Sequence, residues 1–222
     1  RAKTDASDAQ LLARHLQREK EDLRRWSPPP KAYRTLQTLL RRRAALIKAR
    51  TMIQQSLSGE KVLKANLTKL ISQINSLDTL IQKHLRNTVR EAGLCDQVKR
   101  CKGLEGVGDL TAYALVMAFL RGDFRNSDAF VAFLGMDVHV KDSGTRTGKR
   151  KLTKKGDSET RRLLYCAAMA ACKSARWMGV YQGYLDRGLA KTQALVILAR
   201  KLVRIAFALM KNRSDYVSSP AS

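Results

Sequence analysis

The sequence predicts a mainly α-helical protein, in which a long coiled-coil hairpin precedes a helical C-terminal domain that contains a helix-hairpin-helix. Residues 31–92 contain no proline and a single glycine, Gly59, so helix can continue over most of this stretch. Apolar residues recur there every three or four positions, which is the helical repeat. Two later stretches, 158–177 and 189–212, are apolar enough to form the helices of a core.

The first helix is predicted within residues 1–25, where leucines share one face among charged residues. Prolines 28–30 end it, because proline cannot continue a helix and disfavours helical backbone in the residue before it. A domain boundary is therefore expected here. The resulting division of the chain is 1–27, 28–92, 93–213 and a polar, frayed tail at 214–222.

Between Leu63 and Ile81 the apolar residues are separated by alternating steps of four and three, the spacing of a coiled-coil seam. The seam residues are Leu63, Leu67, Leu70, Ile74, Leu77 and Ile81. A second apolar stripe precedes Gly59, so the two helices are expected to form a hairpin. The seams are narrow, and the sequence leaves open whether they pair with a second chain or form only a spacer.

The segment 102–112 lies between two helical patterns and contains the order L-x-G-V-G-x-x-T-A. Glycines allow a tight turn and a close approach to a phosphate, which the N–H groups at the start of the next helix would face. Lys102, Gly106 and Gly108 are therefore predicted to contact a nucleic-acid backbone. A simple helix–helix turn is the alternative, and two carboxylates beside the turn favour it.

Residues 135–157 are the least regular and most basic part of the chain. Val138 and Val140 alternate with polar residues as in a short strand, and a glycine-flanked turn that contains Ser143 follows. Basic residues here and in the next helix are predicted to contact phosphate groups, with an ordinary solvated face as the alternative. These residues are Arg146, Lys149, Arg150, Lys151, Lys154, Lys155, Arg161 and Arg162.

The 222-residue chain carries 43 Lys and Arg against 19 Asp and Glu, a formal net charge of +24. This excess attracts polyanions, with nucleic acid as the expected partner and an anionic membrane surface as the alternative. No apolar run reaches the ~18 residues that a membrane span requires, so no insertion into a membrane is expected. The four cysteines lack zinc-ligand spacing and no signal peptide is visible, so free thiols in the cytoplasm are expected.

Asp5 and Asp8 are three residues apart and therefore share one face of the first helix. Mg²⁺ is typically held by one or two carboxylates together with phosphate oxygens, so the pair is a candidate metal site. Acidic residues are also common in a first helical turn, where the helix dipole favours them. The spacing alone favours this second interpretation.

Ser143 lies in a glycine turn with basic residues on both sides. A serine hydroxyl can attack a phosphodiester, and cations stabilise the charge that develops on the phosphate oxygens. Ser143 is thus a candidate nucleophile towards DNA. From the residues alone, an ordinary turn serine is the stronger alternative, because no motif orients a histidine or another base towards the hydroxyl.

Several motifs occur in a recognisable order: Thr4-Asp5-x-x-Asp8-Ala9, the coiled coil, L-x-G-V-G-x-x-T-A, Phe124–Met136, Ser143-Gly144 and Leu152–Leu164. This order resembles the DEDD-type transposases of bacterial insertion sequences, which are relatives of the Piv-type DNA invertases. The resemblance implies a RuvC-like domain whose four acidic residues bind Mg²⁺, and a C-terminal domain with a serine nucleophile. Asp5 and Asp8 match the last two acidic positions, and Ser143 matches the serine.

The resemblance also implies DNA as the substrate, a guide RNA in some members, a dimer or tetramer, and a nucleoid-associated location in the bacterial cytoplasm. The family's first Asp and its Glu have no counterpart here, so residues 1–27 are expected to be the remnant of a RuvC-like domain that is mostly missing. The chain alone is therefore not expected to cleave DNA. The predicted function is that of a DNA transposase or site-specific recombinase. The alternatives are a non-enzymatic architectural DNA- or RNA-binding protein and a pure oligomerisation module.

Overall fold

The computed structural model describes residues 4–21, 26–139 and 151–217. Within these ranges the chain is mainly helical, which confirms the predicted fold class. The elements in chain order are α1 (Asp5–Glu19), α2 (Lys31–Ser56), a 3-10 turn (Lys61–Leu63), α3 (Lys64–Glu91), α4 (Cys95–Lys102), α5 (Asp109–Phe119), α6 (Ser127–Phe133), β1 (Val138–His139), β2 (Lys151–Leu152), α7 (Ser158–Ala171), α8 (Ala175–Asp186) and α9 (Lys191–Asn212). Among the described helices, none has both the length and the apolar character needed to cross a bilayer.

Helix α1 begins after Thr4, which is its N-cap. The Ser7 amide donates to Thr4 Oγ1 at 3.3 Å and the Thr4 amide donates to Ser7 Oγ at 3.1 Å, so the two residues form a reciprocal capping box. No residue of α1 is buried, and Leu11, Leu12 and Leu16 are between 55 and 68% exposed. The leucine face predicted from the sequence is therefore open to solvent among the described residues.

Helices α2 and α3 pack against each other and form the predicted hairpin. Arg43 Nε lies 2.7 Å from Asp78 Oδ1. Further towards the loop, Arg50 Nη1 donates to Asn75 Oδ1 at 2.9 Å. These two contacts show that the helices are antiparallel. The apolar side chains buried at the base of the hairpin are Leu36, Leu40, Leu85 and Val89.

The predicted seam of α3 is divided between two surfaces. Leu67, Ile74 and Ile81 are partly buried. Leu63, Leu70 and Leu77, which are spaced by seven residues, are instead 39, 40 and 47% exposed. The described hairpin thus buries only part of the seam, and a coiled coil stays a prediction.

Helix α5 lies at the centre of the C-terminal core, because every residue from Thr111 to Ala118 is buried. Helices α2, α4, α7 and α9 all pack around it. The prediction that the stretch 158–177 contributes to the core is confirmed for α7, whose buried residues include Leu163, Leu164, Ala167, Ala168 and Ala171. Helix α9 lies within the predicted stretch 189–212 and contributes ten buried residues.

The expectation of one continuous helix over 158–177 is wrong. Helix α7 ends at Ala171, and α8 begins at Ala175 and continues to Asp186. The backbone of Ser174 is extended, and both its amide and its hydroxyl donate to the Ala171 carbonyl, at 2.9 and 2.8 Å, so this carbonyl is satisfied within the turn. No glycine or proline marks this break, so periodicity alone missed both the break and α8.

The tail, expected from the sequence to be frayed, contacts the core in its described part. The Arg176 guanidinium lies 5.1 Å from the centroid of the Tyr216 ring, and a Cβ added to Gly103 would lie 3.4 Å from the Cβ of Tyr216. Burial raises the pKa of Tyr216 to about 12, and the neighbouring Glu105 carboxylate acts in the same direction. Tyr216 thus packs against the turn that follows α4. A contact between residues so far apart in the chain cannot be predicted from a polar sequence.

Candidate nucleic-acid interface

Strands β1 and β2 join the two ends of the segment that contains Ser143. They are antiparallel, with Val138 opposite Leu152 and His139 opposite Lys151. The intervening stretch therefore leaves and re-enters the described fold at a single point. We call this paired element, β1 with β2, the ribbon.

Four residues predicted to act at this site lie outside the described residues: Ser143, Arg146, Lys149 and Arg150. The predicted phosphate contacts that follow, Lys151, Lys154 and Lys155, are described, and all three are exposed. Exposed positive charge thus adjoins the end of the segment that contains Ser143.

The main chain that follows β2 is hydrogen-bonded to the main chain that precedes β1. The Thr153 amide donates to the Asp137 carbonyl at 2.9 Å, and the Lys154 amide donates to the Gly135 carbonyl at 3.1 Å. Lys154 has a φ of +55°, a left-handed conformation that costs a non-glycine residue roughly 1 kcal/mol or more. The exposed lysines are therefore presented by a bonded backbone with a defined conformation.

Two glycines allow this backbone to approach the end of α6. A Cβ on Gly156 would lie 2.5 Å from the Leu134 carbonyl oxygen. Gly135 has a φ of +68°, and a Cβ there would lie 2.8 Å from the Lys155 amide nitrogen. Because real Cβ atoms do not come so close to backbone atoms, any larger residue would separate the two segments.

The two arginines predicted to contact phosphate, Arg161 and Arg162, bond protein acceptors in this structure. Arg161 Nη1 donates to the carbonyls of Gly156 at 2.5 Å and Leu134 at 3.4 Å, so its guanidinium joins the same two segments as the glycines. Arg162 donates through Nη2 and Nε to both carboxylate oxygens of Glu159, at 2.6 and 2.7 Å. Arg161 thus supports the base of the ribbon from within the fold.

Asp157 connects helix α7 to the hairpin. Its Oδ2 accepts from the Thr160 amide at 2.9 Å, so Asp157 is the N-cap of α7, and its Oδ1 accepts from Arg41 Nε at 2.8 Å. Burial on its own would raise the pKa of Asp157, but the hydrogen bonds from Thr160 and Arg41 outweigh burial and lower it. The ionised carboxylate therefore holds the start of α7, next to the exposed lysines, against α2.

The turn between α4 and α5 places its two central glycines in different environments. Gly106 has a φ of +82°, and a Cβ there would collide with the backbone of α7, at 2.6 Å from the Ala171 amide nitrogen. Gly108 has nothing within 4 Å of its Cβ position and is exposed at the start of α5. Gly106 is therefore required for packing, and Gly108 is the glycine that a ligand can approach.

The charged residues of this turn are paired within the protein. Lys102 Nζ lies 2.5 Å from Asp109 Oδ1, and both side chains are about half exposed. Glu105 accepts a hydrogen bond from Trp177 Nε1 at 3.1 Å. Burial alone would raise the pKa of Glu105, but the hydrogen bonds that it accepts and the Arg176 charge lower it. Of the two carboxylates at this turn, Glu105 is thus hydrogen-bonded to Trp177 and Asp109 is paired with Lys102.

Asp5 and Asp8 lie in the first turn of α1, as predicted. Within the described residues there is no group of three or more His, Cys, Asp or Glu that could hold a metal ion. Two carboxylates on one face fit part of a Mg²⁺ site, but they do not complete one.

Sequence reasoning missed Arg41 and the cations that surround a groove between α3 and α4. The groove cations are Arg86, Arg90 and Lys99, together with the predicted Lys102. Helical spacing could have found them, because positions four and three residues apart lie on one helix face. Arg41 could not be identified from local spacing, because its partner Asp157 is 116 residues away in the chain.

Comparison with known proteins assigns these elements to a family. Residues 98–182 match the family model described as "Transposase IS116/IS110/IS902 family", and residues 1–65 match a second model, described as "Transposase", for DEDD transposases of the IS110 type. The chain contains transposase domains of the IS116/IS110/IS902 family. The segment 98–182 includes the turn between α4 and α5, the ribbon and α7.

Two curated relatives agree with this assignment. The chain is 31% identical over 165 residues, 69% of its length, to "Probable family 20 transposase" of Pseudomonas aeruginosa. It is 24% identical over 180 residues, 80% of its length, to "Insertion element IS116 uncharacterized 44.8 kDa protein" of Streptomyces clavuligerus. The matched region spans 45% of each relative, so the chain corresponds to about half of the length of these relatives.

Proposed function

We propose that this chain is part of a DNA transposase that cuts and rejoins DNA through Ser143. The observation that carries the proposal is the ribbon, which pairs residues 138–139 with 151–152 and so gathers both ends of the Ser143 segment. Exposed Lys151, Lys154 and Lys155 adjoin it, within the region matched to the transposase family. A hydroxyl beside concentrated positive charge is the arrangement that attack on a phosphodiester requires.

The proposed reaction conserves the number of phosphoester bonds. Ser143 Oγ loses its proton and forms a bond to phosphorus, while the bond between phosphorus and one deoxyribose oxygen breaks. The released deoxyribose oxygen takes up a proton and becomes a hydroxyl. In the reverse direction a deoxyribose hydroxyl attacks the phosphoserine, which restores a DNA strand without an external energy source. The exposed lysines stabilise the additional negative charge of the pentacoordinate phosphorus.

Asp5 and Asp8 are proposed as two of the ligands of a Mg²⁺ site that needs further carboxylates. Mg²⁺ bound there would neutralise phosphate charge. The carboxylates themselves share one face of α1, where Thr4 fixes the start of the helix. We propose that the chain alone, incubated with Mg²⁺ and DNA, leaves the DNA uncut.

We also propose that the protein acts as a dimer or tetramer, guided by an RNA and associated with the bacterial nucleoid. Leu63, just before α3, and Leu70 and Leu77 on α3 support the oligomer, because they repeat every seven residues and stay exposed. The charge of +24 supports nucleic-acid partners. Replacing Leu70 and Leu77 by lysine should lower the molar mass seen in sedimentation equilibrium. An unchanged mass, or a monomeric parent chain, would remove the oligomer from the proposal.

The decisive experiment is a strand-transfer assay with the transposase that contains this chain. The Ser143→Ala variant should lose both recombination and the covalent protein–DNA adduct, while its affinity for DNA stays within about twofold of the parent. Thr147→Ala, which removes another hydroxyl from the same segment, is the matched control and should keep both activities. Mass spectrometry of the trapped adduct should locate the phosphate on Ser143. Recombination by Ser143→Ala would refute the role of Ser143 as nucleophile, and a loss of DNA binding together with recombination would mean that the residue is structural.

A further inference from the structure

The groove between the C-terminal end of α3, helix α4 and the start of α5 carries a concentration of positive charge. It has a volume of about 420 Å³, and none of its lining residues belongs to the ribbon or to the segment 135–157. Its charged lining consists of four cations and one carboxylate, Asp109. It is thus a separate surface from the one that presents Ser143.

The cations form two rows, one on each of two helices. Arg86 and Arg90 are four residues apart on α3, and Lys99 and Lys102 are three residues apart on α4, so each pair lies on one helix face. All four side chains belong to exposed residues. Of these four, Lys102 alone has a described carboxylate within ion-pair distance, namely that of Asp109. Three cations therefore retain charge for an external anion.

We infer that this groove binds the phosphate backbone of double-stranded DNA, as a second contact surface of the proposed transposase. The inference rests on the proposed function for the identity of the partner. Two rows of cations on neighbouring helices can contact successive phosphates of a duplex, which present a regular array of charge. The exposed Gly108 at the start of α5 lies next to Asp109 in the groove wall and leaves room for the backbone to approach.

The floor of the groove favours a duplex over a single strand. It is formed by Val89, Val98 and the ring of Tyr113, which is the aromatic residue of the lining and is 5% exposed. Proteins that bind unpaired bases present exposed aromatic faces on which the bases stack. A buried ring does not offer such a face, so the groove contacts the outside of a duplex through charge.

The test measures binding of the chain to a duplex oligonucleotide over a range of salt concentrations. The double variant Arg86→Gln with Arg90→Gln should make the slope of log affinity against log salt shallower by about 1.8, from about 0.9 per phosphate contact. If both proteins bind equally at about 1 M salt, this difference in slope makes the affinity of the variant about 60-fold lower than that of the parent at about 0.1 M salt. Circular dichroism of both proteins checks that the variant is folded.

The matched control is Lys64→Gln with Lys69→Gln, which removes the same charge from exposed positions of the same helix. These lysines lie roughly 25–40 Å from the groove along α3, at about 1.5 Å per residue. The control should keep the parent slope. An equal loss in both double variants, an unchanged slope in the groove variant, or a loss confined to single-stranded DNA or RNA would each overturn the inference.

A failure of the groove is distinguishable from a failure of the proposed function. A third variant, Lys154→Gln with Lys155→Gln, alters the ribbon side of the molecule only. If this variant weakens duplex binding while the groove variant does not, the groove inference is wrong and the transposase proposal stands. If the parent chain does not bind duplex DNA at any salt concentration, both fail together.

Discussion

Alanine substitutions at the two central glycines of the turn between α4 and α5 test the different environments that the structure gives these residues. The change Gly106→Ala places a methyl group against the backbone of α7 and forces alanine to a φ of +82°. The left-handed conformation costs roughly 1–2 kcal/mol and the collision with packed backbone roughly 1–3 kcal/mol. The free energy of unfolding should therefore fall by about 2–5 kcal/mol, and the melting temperature by roughly 4–20 °C for a chain of this size.

Gly108→Ala is the control, because it makes the same chemical change two residues away. Its φ is −87°, which alanine adopts readily, and its Cβ position has no neighbour within 4 Å. Its stability should stay within about 0.5 kcal/mol of the parent. If the start of α5 contacts phosphate, the added methyl group should instead weaken duplex binding. Urea unfolding followed by circular dichroism, together with binding titrations, separates the two effects.

The opposite pattern in the two variants would contradict these roles of Gly106 and Gly108. A Gly106→Ala variant with parent stability and weakened DNA binding would mean that Gly106 contacts the ligand rather than α7. A Gly108→Ala variant that unfolds more easily would mean that the turn is packed on the side that the structure shows as open.

Two further predictions concern the residues that support the ribbon. Asp157→Ala should lower the free energy of unfolding by about 0.5–2 kcal/mol at pH 7, as expected for loss of an N-cap. Because the folded-state pKa of Asp157 is lowered, its contribution is present above the unfolded pKa of about 3.9 and is lost as the pH falls through the folded value. The difference from the parent should therefore shrink below about pH 4 in urea titrations, and a constant difference would contradict the assignment. Arg161→Lys should cost about 1–2 kcal/mol because an ammonium group does not reproduce two carbonyl contacts of a guanidinium, whereas Arg42→Lys at an exposed position of α2 should change stability by less than about 0.5 kcal/mol. Equal effects of the two lysine substitutions would refute a supporting role for Arg161.

The parts of the fold that local chemistry determines could be predicted from the sequence. The helical class, the hairpin, the caps at Thr4 and Asp157, and the apolar face of α7 all follow from spacing and capping preferences. The break at Ser174 could not be predicted, because a serine hydroxyl that bonds back to a carbonyl leaves no mark in the apolar pattern. Propensity therefore located the helices better than it located their ends.

For the candidate site, the sequence predicts which types of residue are present but not which contacts they make. The sequence shows that basic residues are concentrated around the ribbon, but it does not show which of them bond to the protein. The contact of Arg161 with the Leu134 carbonyl joins residues 27 positions apart, and that of Arg41 with Asp157 joins residues 116 apart. Such pairings depend on how α6 and α2 pack against the start of α7, which is a property of the whole fold.

The structure separates the basic residues near the ribbon by type. Arg41 and Arg161 bond carboxylate and carbonyl acceptors, for which the planar guanidinium with its several donors is suited. Lys151, Lys154 and Lys155 are exposed, as is usual for a compact and strongly hydrated ammonium group. Neutralising an arginine of this region should therefore affect stability first and binding second. Neutralising a lysine should weaken binding to every DNA sequence and leave the unfolding transition in place, because its side chain is exposed to solvent.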